Sequence, residues 1–312
     1  MIFGPWIKFS DYVELTTSAS QRRWSFRWLV SLATSLAMSF VALFASVCVA
    51  SVLLTQWDAP TEVPAVVVSW FAAYRDAFSF RHSHYYVSFT SRATLIAMGA
   101  GMTDKEIHGM EDDSKSSKNA KATRPSNLSP KKSSTLLEIA NPLHVEIPRS
   151  LVEVVVHWNV PMHRWLKNYV FRPVHPTLGT PLAILTTYAI SALLHGLNFQ
   201  LAAVLFSLGL FSYVEHVLRA KLGRIFDACV LSRACSPSCQ HGNRPTLLWV
   251  KLVNFFFGCV SVLHLAYLGV GFDNSEEQSV GYSMAHVMEK WGKLGYASHV
   301  VTVIFGLSVV VI

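Results

Sequence analysis

One histidine lies where the surrounding sequence offers its imidazole no polar partner. His195 stands in the segment SALLHGLN, within Pro173–Val214, a run that contains no Asp, Glu, Lys or Arg. An imidazole can take up and return a proton near neutral pH, and an ionisable group among apolar residues indicates a functional site. The alternative interpretation is a structural histidine bonded to a carbonyl of a neighbouring helix. His264, in the segment VLHL, is a weaker case of the same kind.

A second candidate is an asparagine within an aromatic-rich segment. Asn159 follows Trp158 and precedes Pro161, and Trp165 and Tyr169 follow at helical spacing. A side-chain amide can donate two hydrogen bonds, so it could polarise a carbonyl or stabilise an oxyanion. The residues alone favour the simpler interpretation, an aromatic belt with an asparagine that caps a helix.

Three cysteines and a histidine lie close together further along the chain. They are Cys229, Cys235, Cys239 and His241. Thiolates and imidazoles are the ligands that zinc prefers, but the spacing C-x5-C-x3-C-x-H is not one of the common zinc patterns. We therefore expect reduced thiols in a cytoplasmic loop and no metal site, with zinc as the alternative.

One further pair of residues matches a catalytic spacing. His108 and Asp113 form the His-x4-Asp pattern of a class of glycerolipid acyltransferases. They lie in a polar segment that has no fold to support them, so we interpret the match as chance.

The composition indicates the kind of protein that must position these side chains. Hydrophobic residues make up 52% of the chain and charged residues 14%, with a mean hydropathy of +0.36. Because soluble domains carry charges at about 25% of positions, this composition excludes ordinary soluble and disordered proteins and predicts a membrane protein. The net charge of +7 does not indicate a nucleic-acid partner, since the basic residues lie between the apolar runs.

The apolar runs predict an all-α, multi-pass transmembrane bundle. A membrane-spanning helix needs about 20 residues. The charge-free runs are Trp28–Trp57, Pro173–Val214, Leu252–Phe272 and Leu294–Ile312. The second is too long for one helix, and we expect it to form two helices that are interrupted at His195–Asn198.

Two other segments predict helices at the membrane surface. Tyr85–Gly101 is apolar but carries Arg92 at its centre, which favours an interfacial or re-entrant segment because a central arginine costs about 2.5–3.5 kcal/mol on insertion. Leu136–Phe171 is amphipathic and rich in aromatic residues, which is typical of a helix in or near the interface.

The polar and basic segments predict a disordered insertion and the orientation of the chain in the membrane. Residues 103–135 have almost no apolar side chains, so we interpret them as a disordered insertion. Eleven Lys and Arg residues lie between Met102 and Pro176, and six more between Glu215 and Lys251. Both basic loops flank the predicted helix pair, which predicts that both are cytoplasmic.

Several blocks of the sequence, in this order, resemble the membrane-bound O-acyltransferase family. They are FGPWIKFSDY, VEIPRSLVEVVVHWNVPMHRWLKNYVF, SALLHGLNFQLAAVLFSLGLFSYVEHVLRAKL, HLAYLGVGFD and GYSMAHVMEKW. The resemblance covers the chain apart from 103–135 and implies a single family domain over residues 1–312. Family members have further helices before the first block, so we expect this chain to correspond to the C-terminal portion of the family fold.

The resemblance also implies an activity and site residues. It is to the branch of the family that transfers palmitoleate from palmitoleoyl-CoA to a serine hydroxyl of Wnt proteins in the endoplasmic reticulum membrane, with no other cofactor. By motif match, His195 and Asn159 take the positions of the family's two catalytic residues. The residues that fall in blocks around the family's reaction chamber are Trp158, Trp165, Tyr169, Tyr188 and Ser191.

Two functions of other classes remain open from the sequence. A transporter would use His195 and His264 as a proton relay. An inactive fragment or scaffold would bind a Wnt protein without turnover.

Overall fold

The computed structural model describes residues 9, 12–13, 26–53, 63–99, 137–196, 198–236, 238–272 and 283–312. These residues form ten α-helices, and the only β-type pairing among them is a single parallel bridge between Ala228 and Asn243. The insertion expected at 103–135, with His108 and Asp113, lies outside the described residues.

The first half of the chain has two long helices followed by three short ones. In chain order they are α1 (Phe26–Phe44), which continues as a π-helix (Ala45–Leu53), α2 (Ala65–Ala97), α3 (Pro142–Glu146), α4 (Leu151–Trp158) and α5 (Val160–Leu166).

The helices of the second half are mostly long and apolar. After a short π-helix (Lys167–Phe171) they are α6 (Arg172–Leu194), α7 (Phe199–Ile225), α8 (Leu248–Gly269), α9 (Met284–Lys293) and α10 (Ala297–Val311). Helix α6 is kinked at Gly179, whose φ of 72° is open to glycine and strained for other residues.

Within the part of the chain that the structure describes, four segments have the length and composition to cross a membrane. They are Phe26–Ala50, Val160–Leu194, Phe199–Ile225 and Leu248–Gly269. Helices α9 and α10 pass the same test as a pair that bends by 75°. The chain is therefore a multi-pass helical membrane protein, as its composition predicts.

The bundle is built around two contacts of α2. This helix packs along α1 on one side and against α8 on the other. Gly269 of α8 lies directly over Ala77 of α2, and a Cβ on the glycine would come within 2.5 Å of the alanine Cβ. Small residues thus let the two backbones approach closely, which is how helices commonly pack in membranes.

The remaining core lies between α7, α8 and the bent pair. Helix α7 packs against both α6 and α10. Tyr267 of α8 is fully buried and stacks on Trp291 of α9, with ring centroids 5.3 Å apart. The Tyr267 hydroxyl lies 2.9 Å from Nδ1 of His299, which ties α10 to the same core.

The break expected within Pro173–Val214 is confirmed. Helix α6 ends at Leu194 and α7 begins at Phe199. Gly196 adopts a φ of 92°, and the Asn198 side chain accepts a hydrogen bond from the backbone N–H of Leu201 at 3.1 Å, which caps α7.

The two segments expected at the membrane surface have different helix bounds from those expected. Of Tyr85–Gly101, residues 85–97 form the C-terminal part of the 33-residue helix α2, which begins at Ala65. The place of this part of α2 relative to the membrane stays a prediction. Leu136–Phe171 is not one helix, because Pro148 and Pro161 lack the N–H that a continuous helix needs and Ser150 and Asn159 start new helices.

Candidate active site

His195 lies at the break between α6 and α7. Its backbone N–H bonds the carbonyl of Ser191 at 3.2 Å, which makes His195 the last residue held by α6. The side chain is half-buried, and no hydrogen bond to its ring nitrogens is formed within the described part of the chain.

Two other predicted site residues share the His195 face of α6. Tyr188, Ser191 and His195 are three and four residues apart, a spacing that places side chains in one row along a helix. Ser191 is buried, and the Tyr188 ring lies against Gly209 of α7, where a Cβ would come within 2.7 Å of Cδ2. The close approach of α6 and α7 next to the break thus depends on a glycine facing an aromatic ring.

A histidine of α2 connects His195 with the segment that carries Asn159. The imidazole of His84 is buried and stacks on the indole of Trp158, with ring centroids 4.4 Å apart and planes 5° from parallel. Its Nε2 lies 2.9 Å from the Trp158 carbonyl oxygen. Because a carbonyl only accepts, Nε2 carries the proton. His195 lies close enough to His84 for the two imidazoles to interact electrostatically.

Asn159 is held at the turn between α4 and α5. Its Oδ1 accepts a hydrogen bond from the backbone N–H of Met162 at 3.1 Å, which caps α5. A neighbouring stretch of chain that runs in the opposite direction fixes this turn, since the N–H of Val160 donates to the carbonyl of Ile139 at 2.8 Å and the N–H of Asn141 donates to the carbonyl of His157 at 2.9 Å. With Oδ1 engaged as an acceptor, the amide group presents Nδ2, a donor.

An ion pair anchors α2 to the segment before α4. Arg81 donates to both carboxylate oxygens of Glu146, at 2.8 and 2.9 Å, and the Tyr85 hydroxyl donates to the same carboxylate at 2.8 Å. Burial by itself raises the pKa of Glu146, but the hydrogen bonds and charge of Arg81 outweigh burial and hold that pKa below its usual range. Glu146 thus stays ionised and fixes α2, with His84, beside Trp158.

The remaining predicted residues lie further from this group. Trp165 and Tyr169 contact each other, with ring centroids 5.8 Å apart, and Tyr169 is 56% exposed. His264 is buried in α8 next to Phe211, at 4.9 Å between ring centroids. Within the described residues, no hydrogen bond or ring contact joins His264 to His195.

Sequence reasoning missed His84. It lies in the segment FRHSHYY, which was not singled out in the sequence. The one signal in the sequence was spacing, because Phe80 and His84 are four residues apart and therefore share a helix face. In the structure both rings contact Trp158.

A comparison with protein families decides the class of this protein. The model of the membrane-bound O-acyltransferase family matches residues 1–236. The chain belongs to this family. The resemblance and the multi-pass helical fold expected from the sequence are thereby confirmed.

Individual relatives narrow the branch of the membrane-bound O-acyltransferase family. The chain is 42% identical to the protein-serine O-palmitoleoyltransferase porcupine of Homo sapiens, over 97% of this chain and 62% of the relative. It is 35% identical to the porcupine of Anopheles gambiae and 30% identical to that of Drosophila melanogaster, over 96% and 95% of this chain and 58% and 53% of those relatives. The chain thus spans about three fifths of the length of the curated relatives it matches.

Proposed function

We propose that this chain carries the reaction centre of a protein-serine O-acyltransferase that transfers a palmitoleoyl group from palmitoleoyl-CoA to a serine hydroxyl of Wnt proteins. The observation that carries the proposal is the grouping of His195, His84 and Trp158 at a break between apolar helices, in a chain similar to porcupine over nearly its whole length. The endoplasmic reticulum membrane is the proposed location.

His195 is the proposed general base. A serine hydroxyl is a poor nucleophile until a base takes its proton. The half-buried ring of His195 has no hydrogen bond to another described residue, so a substrate hydroxyl can occupy its nitrogen. The broken helix favours this role, because α6 ends at the side chain and leaves room beside it for a bound group.

Asn159 is the proposed donor to the thioester carbonyl. Negative charge develops on that oxygen when the serine attacks, and a fixed donor in a dry site stabilises it. The bond from Met162 to Oδ1 orients the carboxamide so that Nδ2 is the group left to donate. Capping a helix and assisting the reaction are therefore compatible roles for one side chain.

The proposed substrate-binding residues form two groups, one on the elements around His195 and one at the end of α5. Trp158, Tyr188 and Ser191 line the elements that meet at His195, and they are suited to enclose the reacting ester. Trp165 is half-buried at the end of α5 and Tyr169 is exposed in the π-helix that follows, and this aromatic pair suits the acyl chain or its entrance.

The proposed reaction transfers the acyl group directly from the CoA thioester to the serine hydroxyl. His195 takes the serine proton as the serine oxygen bonds to the thioester carbon. Collapse of the tetrahedral intermediate breaks the carbon–sulfur bond, and the protonated imidazole returns the proton to the leaving CoA thiolate. The products are the acylated serine and free CoA, and the imidazole is neutral again.

The proton-relay alternative has less support. A relay needs a chain of hydrogen-bonding groups between His195 and His264, and within the described residues His264 contacts Phe211 while His195 interacts with His84. An acyl-transfer assay distinguishes the scaffold from the enzyme, because a scaffold would bind a Wnt peptide without turnover.

The proposal is tested by an acyl-transfer assay. The chain is expressed in cells that lack endogenous activity, and membranes are supplied with palmitoleoyl-CoA and a Wnt-derived peptide that contains the acceptor serine. We expect acyl-peptide to form with the wild-type chain and not with His195→Ala.

The matched control is His175→Ala, an exposed histidine of the same helix. It should retain wild-type turnover. Peptide binding without turnover in the wild type would replace the enzyme with the scaffold, and equal turnover in the two histidine variants would remove His195 from the mechanism.

A further inference from the structure

The loop between α7 and α8 gathers four side chains that the proposed acyl transfer does not use. This Cys3His cluster consists of Cys229, Cys235, Cys239 and His241. Their ligand atoms, three Sγ and the ring nitrogen of the histidine, all lie within 4.8 Å of one another. Residues spread over thirteen positions of an irregular loop thus point into one small volume.

The separations are those of a tetrahedral metal site. Zinc–sulfur and zinc–nitrogen bonds of about 2.3 and 2.1 Å place tetrahedral ligand atoms about 3.6–3.8 Å apart. Nδ1 of His241 lies 3.7 Å from Sγ of Cys229 and 3.8 Å from Sγ of Cys235. The two sulfurs of Cys229 and Cys239 are 3.3 Å apart, and all five cysteines of the chain are free thiols.

We propose that the Cys3His cluster binds one Zn²⁺ as a structural site. Four protein ligands close the coordination shell, which is the pattern of structural and not catalytic zinc. The sequence analysis favoured reduced thiols without a metal because the spacing is uncommon. The folded loop brings the ligands together regardless of that spacing.

The surroundings of the cluster suit the charge of such a site. Three thiolates and one Zn²⁺ leave a net charge of −1. The guanidinium of Arg149 lies beside the cluster, where Nη2 donates to the Cys229 carbonyl at 2.7 Å and Nε donates to the Leu231 carbonyl at 3.0 Å. A cation bonded to the backbone of a ligand both offsets the charge and orients the ligand.

The loop itself is of the kind that a metal stabilises. The described residues of 226–247 contain no helix, and loops of more than about 12–15 residues without secondary structure are uncommon in compact domains. The parallel bridge includes a bond from the Cys229 N–H to Asn243 at 3.0 Å, and the Cys239 N–H bonds Ser236 at 2.9 Å. The buried apolar core of the loop is small, Ala228, Cys229 and Val230 packed against Val250 of α8, and a metal would add a cross-link to it.

The cluster also braces the segment that leads to the proposed reaction centre. The carbonyls of Val230 and Leu231 accept hydrogen bonds from the buried Arg219 at 2.7 and 3.0 Å. The next carbonyl, of Ser232, accepts from the hydroxyl of Ser150 at 2.7 Å, and Ser150 caps α4. A fixed loop therefore holds the start of the helix that ends at Trp158.

The proposal is tested by metal analysis of the full chain. The chain is purified in detergent with a reducing agent, washed with a chelator, and its zinc is measured by mass spectrometry. We expect about one zinc per chain. Exchange of the zinc for Co²⁺ should give a thiolate-to-cobalt charge-transfer band in the near ultraviolet, a readout that needs no variant and no acyl-transfer activity.

Variants identify the ligands. Cys239→Ser and His241→Ala should lose the zinc, whereas His241→Cys should keep it because four thiolates also bind zinc. The matched control is Cys259→Ser, an exposed thiol of α8 outside the cluster, which should keep the metal.

Two outcomes would overturn the zinc site. One is zinc content and Co²⁺ absorption that are the same in the Cys239→Ser variant and the Cys259→Ser control. The other is a metal-free chain that, when purified without a reducing agent, has Cys229 and Cys239 resistant to alkylation until a reductant is added, which would make them a disulfide.

Discussion

The imidazole of His84 lies parallel to the indole of Trp158, 4.4 Å away between ring centroids, and bonds the carbonyl of the same residue. One side chain of α2 thereby fixes both the ring and the backbone immediately before Asn159. The same imidazole interacts electrostatically with His195. The two proposed catalytic residues come from different segments, Asn159 from the turn between α4 and α5 and His195 from the end of α6. His84 of α2 interacts with His195 and with Trp158, the residue before Asn159.

His84 should therefore position the site through its Nε2–H bond. We expect His84→Phe, which keeps a ring against Trp158 but loses the donor, to lower turnover about 5-fold, since one hydrogen bond contributes about 1 kcal/mol. His84→Gln retains a donor and should lie between Phe and wild type. The measurement is kcat in the acyl-transfer assay, with the thermal midpoint as a check of folding. Equal turnover in the two variants would show that only packing matters at this position.

Asn159 combines two roles that substitution can separate. Asp is as good a helix cap as Asn but has no N–H to donate. We expect Asn159→Asp to fold as the wild type does and to lose about 10²–10³-fold in turnover, the usual effect of removing one oxyanion donor. Asn159→Ala should lose turnover and also stability, yet retain more turnover than His195→Ala. Wild-type turnover in a stable Asn159→Asp chain would exclude the amide as a donor.

The ion pair between Arg81 and Glu146 should matter for stability. Glu146→Ala leaves the buried guanidinium of Arg81 without its carboxylate, which costs about 3 kcal/mol. The measurement is the free energy or thermal midpoint of unfolding in detergent. The control is Glu289→Gln, which breaks the exposed pair with Lys293 and should cost much less, because solvent screens that pair. Similar losses in both variants would argue against a special role for the buried pair.

The polar insertion should be dispensable. Replacing residues 103–135 with a short Gly/Ser linker should leave acyl transfer nearly unchanged, because the composition offers nothing to pack and loop closure costs change by only about 0.6 kcal/mol per doubling of length. Loss of turnover in a chain that still inserts into membranes would reveal a site within the insertion.

The orientation of the chain can be tested with a glycan. Asn127 begins the only Asn-x-Ser/Thr acceptor in the sequence, and it lies in the basic insertion that we expect on the cytoplasmic side. We predict no glycan at Asn127 and a glycan on an acceptor engineered into Asp273–Gln278. A glycosidase-sensitive mass shift that Asn127→Gln abolishes would invert the topology, and with it the faces from which CoA and the Wnt protein approach.

The sequence by itself determined the class of the protein and its central residue. Low charge and long apolar runs require a membrane bundle, because no soluble fold can cover so much apolar surface. His195 could be selected for the same reason: its polarity conflicts with its neighbours along the chain. The break at His195–Asn198 followed from local residues too, since Gly196 and Asn198 encode the turn and the cap.

Only the tertiary structure decided which distant side chains share a site. His84 lies 74 residues from Trp158 in the sequence, and only the fold places its Nε2 beside the Trp158 carbonyl. In the same way, only the fold brings Glu146 to Arg81 of α2, because the two residues lie on different elements. The Cys3His cluster was set aside on its spacing. Metal-ligand geometry depends on distances between atoms in space, and an irregular loop can bring together ligands whose positions in sequence follow no familiar pattern.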